Sequence, residues 1–488
     1  MFSKQSQFLR ALLIVFLVLI LQIPTAMLSG VANERQSLRA EAVSEITTKW
    51  GTSQNIVGPR LYVPYVKRIT TGEGDKQVTK TEGKFAVFLP EQLDVTGALE
   101  TEIRKRSIFE VPVYSSDLAL QGSFARPNPA QWGAANEQDI QWDQSELVIE
   151  VSDAHALNLK DGAVWGGKPL AFEAGRGKYA SQNVDSNQYD VAGLPIASAG
   201  IVAKLGGKMV GDRFDFAIPL RLQGSERLTF APLGKETNVK LSANWGDPSF
   251  QGKWLPATST IEKNRFEANW TVQAIGRNYG QSWSGDSPVP DATIRESLFG
   301  VDLISPVDNY RMSQRSLKYN FLFLLLTFVT FWLFEITSNL RVHPLQYLLV
   351  GAAMTLFYLL QLSLSEHLGF DHAYVISSAA VVLMIASYSV AVLRAKGRGL
   401  VIGLMEAALY GYLYFVLASQ SYSLLIGSFG LFGFLAVAMY FTRTMDWLEP
   451  GDAQRPQTAS ASGDAQSASL SSASAPRRFL SCTGRQLK

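Results

Sequence analysis

HPLQYLLVGAAMTLFYLLQLSLSEHLGF, residues 343–370, is the stretch whose reading decides the fold. Its middle, Leu345 to Leu364, is about twenty residues without a charge, the length a helix needs to cross a hydrocarbon core of roughly 30 Å. Inside lipid every backbone polar group must be satisfied within the segment, so the stretch is helix rather than strand. Arg341 and His343 precede it, and Glu366 and Asp371 follow. Working outward, four more apolar stretches join it at about 319–337, 373–393, 400–418 and 423–441. Near the start, Ala11 to Leu28 is apolar apart from Gln22, Pro24 and Thr25, and follows the basic residues Lys4 and Arg10. That run is longer than a signal-peptide core and no A-x-A pattern follows it, so it reads as an uncleaved anchor.

Between the anchor and the block the composition changes. Residues 31–50 carry Val31, Leu38, Ala42 and Ile46 at helical spacing and read as a surface helix leaving the membrane. From Leu61 to about Gln273 the period is two. Phe214, Phe216, Ile218, Leu220 and Leu222 alternate with polar neighbours, as do Val239 to Trp245, Phe266 to Val272 and Leu147 to Val151. Such alternation predicts antiparallel strands with one face inward. Gln223–Glu226 reads as a hairpin turn and Tyr114–Asp117 as a second one. Pro64, Pro112 and Pro219 place their strands at edges or bulges. Ala125–Gln144 and Ala174–Gly200, rich in Gly, Asn, Gln and Ser, read as long loops. The fold class expected is therefore an α+β membrane protein. An all-β, sandwich-like domain (31–318) is inserted between an anchor (1–30) and a five-helix block (319–445), six spans in all. A Ser/Ala-rich tail (446–488) reads as disordered.

The charges orient this plan. Lys4, Arg10, Arg341, Arg394, Lys396, Arg398 and Arg443 all fall at ends on one side, whereas the short loops Ser365–His372 and Ser419–Tyr422 have no Lys or Arg. The positive-inside rule then makes both termini cytoplasmic and residues 31–318 periplasmic. In the chain of 488 residues the net charge is +2, which gives no basic footprint for nucleic acid. The single cysteine, Cys482, excludes an internal disulfide and a thiolate metal cluster.

Glu406 is the sharpest candidate: an acid well inside a span faces a bundle interior or cavity and marks a proton or substrate site. Glu335 reads as an interfacial carboxylate paired with Arg341. Glu366, His367, Asp371 and His372 cluster without a helix-borne ligand spacing, so no metal is assigned. Gly427-Ser428-Phe429-Gly430 lacks a base within a span, which argues against a serine nucleophile; its glycines read as helix-packing positions. Neither a Walker loop nor a GxGxxG or GxSxG motif occurs, so no cofactor and no catalytic residue are expected. Asp153 and His155 together are weak evidence of chemistry.

His343-Pro344-Leu345-Gln346, Glu366-His367-Leu368-Gly369-Phe370 and Asp446-Trp447 resemble motifs of the CreD (Cet) family of bacterial inner-membrane proteins. Val57-Gly58-Pro59-Arg60-Leu61, Pro248-Ser249-Phe250-x-Gly252 with Leu255-Pro256, Gly300-Val301-Asp302 and Tyr310 extend the resemblance over most of the chain. The resemblance implies a Gram-negative inner-membrane protein linked to the CreBC two-component response. It also implies a role in envelope integrity, colicin tolerance and β-lactam response, with no established catalytic residues. The expected partners are the lipid bilayer and, through the outer domain, envelope proteins, lipids or cell wall. A transporter or flippase-like bundle using Glu406 is the alternative. The uncharged loop Ser419–Tyr422 and the Ser/Ala-rich tail depart from the family pattern.

Overall fold

A computed structural model describes residues 4–71, 78–134, 136–159, 161–180, 199–207, 211–303, 309–337, 342–393, 396–419 and 422–443. Seven α-helices occur among them: α1 Lys4–Trp50, α2 Asp291–Arg295, α3 Asn309–Thr337, α4 Pro344–Leu368, α5 Phe370–Leu393, α6 Lys396–Ala418 and α7 Ser423–Thr442. Five of them, α1 and α3 to α6, are long and apolar enough to cross a membrane. The sixth expected span is α7, whose apolar stretch Ser423–Val437 is shorter. The chain divides into two units, Met1–Leu424 and Leu425–Lys488, and most of α7 is the described part of the second.

The anchor and the surface helix are one element. α1 runs 47 residues through Pro24, about 70 Å at the rise of an α-helix. Pro24 supplies no N–H to the helix ladder, and at the next residue Thr25 Oγ1 donates to the Leu21 carbonyl at 2.8 Å.

Among the described residues the inserted domain forms two nine-stranded sheets. The first contains β1 Gln54–Thr71, β2 Val78–Phe88 and β5 Glu146–Val151; the second contains β3 Gln92–Arg106 and β4 Phe109–Ala125. One continuous core holds residues of both, with Trp270, Phe266, Phe299, Phe230, Phe124 and Tyr114 fully enclosed. The alternating stretches are strands as expected: Arg213–Ser225, Glu236–Ala243 and Arg265–Gln273 bury every second residue.

Several expectations need correction or refinement. Each sheet holds a parallel pair, β1 with Arg227–Phe230 and β3 with Glu236–Ala243, because alternation reports faces and not strand direction. β5 is buried along its whole length, Glu146 and Glu150 included, so both of its faces are covered. Gln223–Glu226 is not a hairpin turn. Arg213–Ser225 belongs to one sheet and Arg227–Phe230 to the other, and Glu226, at φ 61°, carries the chain across. Tyr114–Asp117 lies inside the unbroken β4. The prolines do not mark edge strands, since all three strands lie inside their sheets, but each sits where its strand is unpaired on one side. Pro64 lies beyond the β1–β5 pairing and Pro112 beyond the pairing of β4 with Arg213–Ser225. Pro219 falls in the gap between the two short strands that flank Arg213–Ser225. In each case a missing N–H costs no ladder bond. Ala125–Gln144 is three short 3-10 turns, and most of Ala174–Gly200 lies outside the described residues.

Candidate functional site

The inner half of the chain is organised around α3, which meets α1, α4 and α6. Glu406 of α6 is fully buried, as expected of an acid within a span. Neither of its carboxyl oxygens has a hydrogen-bond partner among the described residues. Thr327 of α3 faces it without closing a bond of good geometry, and Thr327 Oγ1 is itself unsatisfied. Tyr410 stands one turn further along α6, with Phe357 of α4 at 4.7 Å between ring centres. The Tyr374 hydroxyl of α5 donates to the Tyr410 carbonyl at 2.7 Å.

The family-motif positions separate into a cap and a junction. His343 and Gln346 form the N-terminal cap of α4. The Leu345 N–H donates to His343 Nδ1 at 3.2 Å and the His343 N–H to Gln346 Oε1 at 2.9 Å. Pro344 opens the helix, where an N–H is not needed, so His-Pro-x-Gln is a helix-start signal. Glu335 is buried beside it. The Tyr347 hydroxyl donates to Glu335 Oε2 at 3.0 Å and the Val342 N–H to Oε1 at 3.3 Å, which ties the end of α3 to the start of α4. Its expected partner Arg341 lies outside the described residues, as do Asp446 and Trp447.

At the other end of α4, Glu366 accepts from the Tyr310 hydroxyl at 3.1 Å and lies 3.8 Å from Arg35 of α1. Phe109, at the tip of the β3–β4 hairpin, packs on Tyr310 with ring centres 6.4 Å apart. The same hairpin follows α1 outward: Arg106 pairs with Glu45, Arg104 lies over the Trp50 ring at 4.4 Å, and Trp50 Nε1 donates to the Tyr114 carbonyl at 3.2 Å. Glu366 is thus where sheet, anchor and bundle meet. His367 is exposed. Among the described residues no group of three or more His, Cys, Asp or Glu side chains converges as a metal ion would need.

The remaining motifs are structural supports of the sheets. Arg60 pairs with Glu150 in the interior, and Arg176 holds the other Glu150 oxygen at 2.6 Å. Burial draws the Arg60 guanidinium down, but Glu150, Tyr62 and Asp291 more than offset it and its pKa rises. Tyr62, beside it, is pushed up to about 12 by burial. Pro248–Gly252 pairs with Phe299–Leu303, so two of the motifs are neighbouring strands. Gly252, at φ +97°, and Gly300 are required there, since an added Cβ would lie 2.1 Å from the Leu298 and Leu228 carbonyl oxygens respectively. Asp153 accepts from the His155 N–H at 3.0 Å and is a local cap.

Residues 6–448 match the family described as inner membrane protein CreD. The chain belongs to the CreD family. It is 31% identical over 431 residues to the inner membrane protein CreD of Escherichia coli K12, covering 88% of this chain and 91% of that one. A multi-pass inner-membrane protein is therefore the setting for every site above. Among solved structures, an M1 zinc metallopeptidase of Deinococcus radiodurans aligns over 74% of this chain and 94% of its own at 10% identity, with a TM-score of 0.20. That score is too low to indicate a shared fold.

Sequence reasoning missed two features. Gly399 and Gly403 of α6 are the close-packing glycines, set against Val390 and Ala386 of α5; their G-x-x-x-G spacing was a readable signal. The second is the polar face of α3, where buried Ser313, Ser316, Asn320 and Thr327 recur at helical spacing in a helix whose first turns also carry the charged residues Arg311, Arg315 and Lys318.

Proposed function

We propose that this CreD-family protein maintains cell-envelope integrity as a non-enzymatic transmitter. In this reading residues 31–318 face the periplasm and both termini face the cytoplasm. The outer domain contacts cell wall, lipid or protein partners, and the bundle responds. The observation that carries the reading is the Phe109–Tyr310–Glu366–Arg35 junction on an unbroken α1. A helix with no joint between anchor and outer domain passes a tilt of one to the other. Two tests follow. A phosphatase reporter fused near Trp165 is active only if that residue is periplasmic; activity of cytosolic reporters alone would remove the placement. In a deletion strain, Glu366→Ala combined with Phe109→Ala is expected to insert normally yet fail to restore resistance to envelope stress. Full restoration would remove the transmitter role.

The second reading, a transporter or flippase-like bundle, is favoured by the two unpartnered oxygens of Glu406. Flux in proteoliposomes that Glu406→Gln abolishes would support it, and flux unchanged by that substitution would exclude it.

A further inference from the structure

The polar face of α3 leads to Glu406. Ser313, Ser316, Asn320 and Thr327 follow one another at steps of three, four and seven residues, so they share one side of the helix. Each is at most 1% exposed. Three other helices offer polar groups to this side. Gln361 Nε2 of α4 donates to Ser313 Oγ at 3.0 Å, Asn320 Nδ2 donates to Thr25 Oγ1 of α1 at 2.5 Å, and Glu406 of α6 meets Thr327. Leu324, fully buried, occupies the turn between Asn320 and Thr327.

These contacts leave acceptors and donors over. Gln361 Oε1, Ser316 Oγ, Asn320 Oδ1, Thr327 Oγ1 and both Glu406 oxygens have no protein partner among the described residues. Leaving a buried polar group unsatisfied is costly. Polar groups of this kind are ordinarily met by bridging water. One helical turn outward from Ser313 stands Tyr310, bonded to Glu366, whose side chain is 12% exposed beside the 46% exposed Arg35. From Tyr310 to Thr327 the rise along α3 is about 26 Å, of which the part within the apolar stretch, Tyr319 to Thr327, is about 12 Å.

We propose that this seam is a water-lined proton path. It leads from the Tyr310–Glu366–Arg35 junction to Glu406, which binds the proton, with Leu324 as an apolar constriction. This rests on the Glu406 reading above but not on net transport. The ligand follows from the surroundings of the carboxyl. Thr327 faces it from α3; Tyr410 follows on its own helix, with Tyr358 of α4 and Tyr374 of α5 around Tyr410. Among the described residues no cation pairs with it, so it is not held as half of an ion pair. One carboxyl and one hydroxyl are too few oxygens to enclose a metal ion. A proton fits.

The test uses the full-length chain in nanodiscs with Cys482→Ser as background. Ser316→Cys and Asn320→Cys are expected to react with a permanently charged methanethiosulfonate at least about tenfold faster than the outward-facing Phe321→Cys, because only a hydrated thiol ionises. Infrared difference spectra across a pH titration are expected to show a protonated-carboxyl band that Glu406→Gln removes and Glu406→Asp retains. Thiols at 316 and 320 no faster than at 321, or a carboxyl spectrum unchanged by Glu406→Gln, would each overturn the proposal. Glu406-dependent flux with unreactive thiols would sink the path and leave the transporter. Reactive thiols and a Glu406 band without flux would support the path and sink the transporter.

Discussion

Gly399→Ala places one methyl group where α6 packs tightly on α5. The new Cβ would lie 2.3 Å from Val390 Cγ2, 2.6 Å from the Val390 backbone nitrogen and 2.7 Å from its Cα. Carbon contacts settle at about 3.5–4.0 Å. Two of these three atoms are backbone and cannot rotate away, so the helices must part by roughly 1 Å at this crossing. Overpacking of this kind costs about 1–3 kcal/mol. Replacing Gly by Ala in a helix returns at most about 1 kcal/mol. The expected net is a loss of up to about 2 kcal/mol by the same two estimates. Gly411 of the same helix has no atom within 4 Å of an added Cβ, so Gly411→Ala receives only the propensity gain of about 0.5–1 kcal/mol. Titration of the purified full-length chain from mild detergent into dodecyl sulfate, followed by circular dichroism, measures both. Opposite signs are expected. Gly399→Ala as stable as wild type, or shifted in the same direction as Gly411→Ala, would refute the close packing of α5 on α6.

Three further outcomes are expected. Arg60→Met leaves buried Glu150 with Arg176 alone and should cost about 3–5 kcal/mol, much of it recovered when Glu150→Leu is added; denaturant unfolding of the two variants checks this. Asp139 accepts from Arg68 Nη2 at 2.6 Å and Nε at 3.0 Å, and these bonds hold its carboxyl below the usual range against the opposing effect of burial. Its contribution is therefore complete above a pH of about 4 and lost as pH falls through the lower folded value. Asp139→Asn should flatten that part of the stability curve, read from tryptophan fluorescence between neutral and acid pH. His343→Ala removes the α4 cap and should cost about 1 kcal/mol, with a thermal midpoint that added chelator leaves unchanged in both proteins.

The spans and the strands were legible because each announces itself in one dimension: Leu345–Leu364 by its length without charge, Phe214–Leu222 by its period of two. What strands pair with was not legible. β1 takes Arg227–Phe230 as a parallel neighbour across more than 150 residues of sequence, and nothing local encodes that choice. Gln223–Glu226 has the composition of a hairpin because changing sheets and reversing direction both need a tight, polar, left-handed step. Glu406 could be found alone, since one acid in an apolar helix is conspicuous. Its line of neighbours was harder to see, because Ser313, Ser316 and Thr327 are small and neutral and become a face only when α3 is wound. His343 and Gln346 stood out as a motif but not as a cap, for the bonds that define them run to backbone.

The two helices that carry the β domain leave the bundle side by side: Gln314 of α3 donates to Asn33 and Gln36 of α1 at 2.9 and 2.7 Å. Everything between those crossing points is a single excursion that departs and returns through one doorway. Such an arrangement lets an insertion be removed and the gap closed by a few flexible residues. A chain cut back in that way would keep its helices in register, and the outer part could be exchanged wholesale without redrawing the part within the lipid.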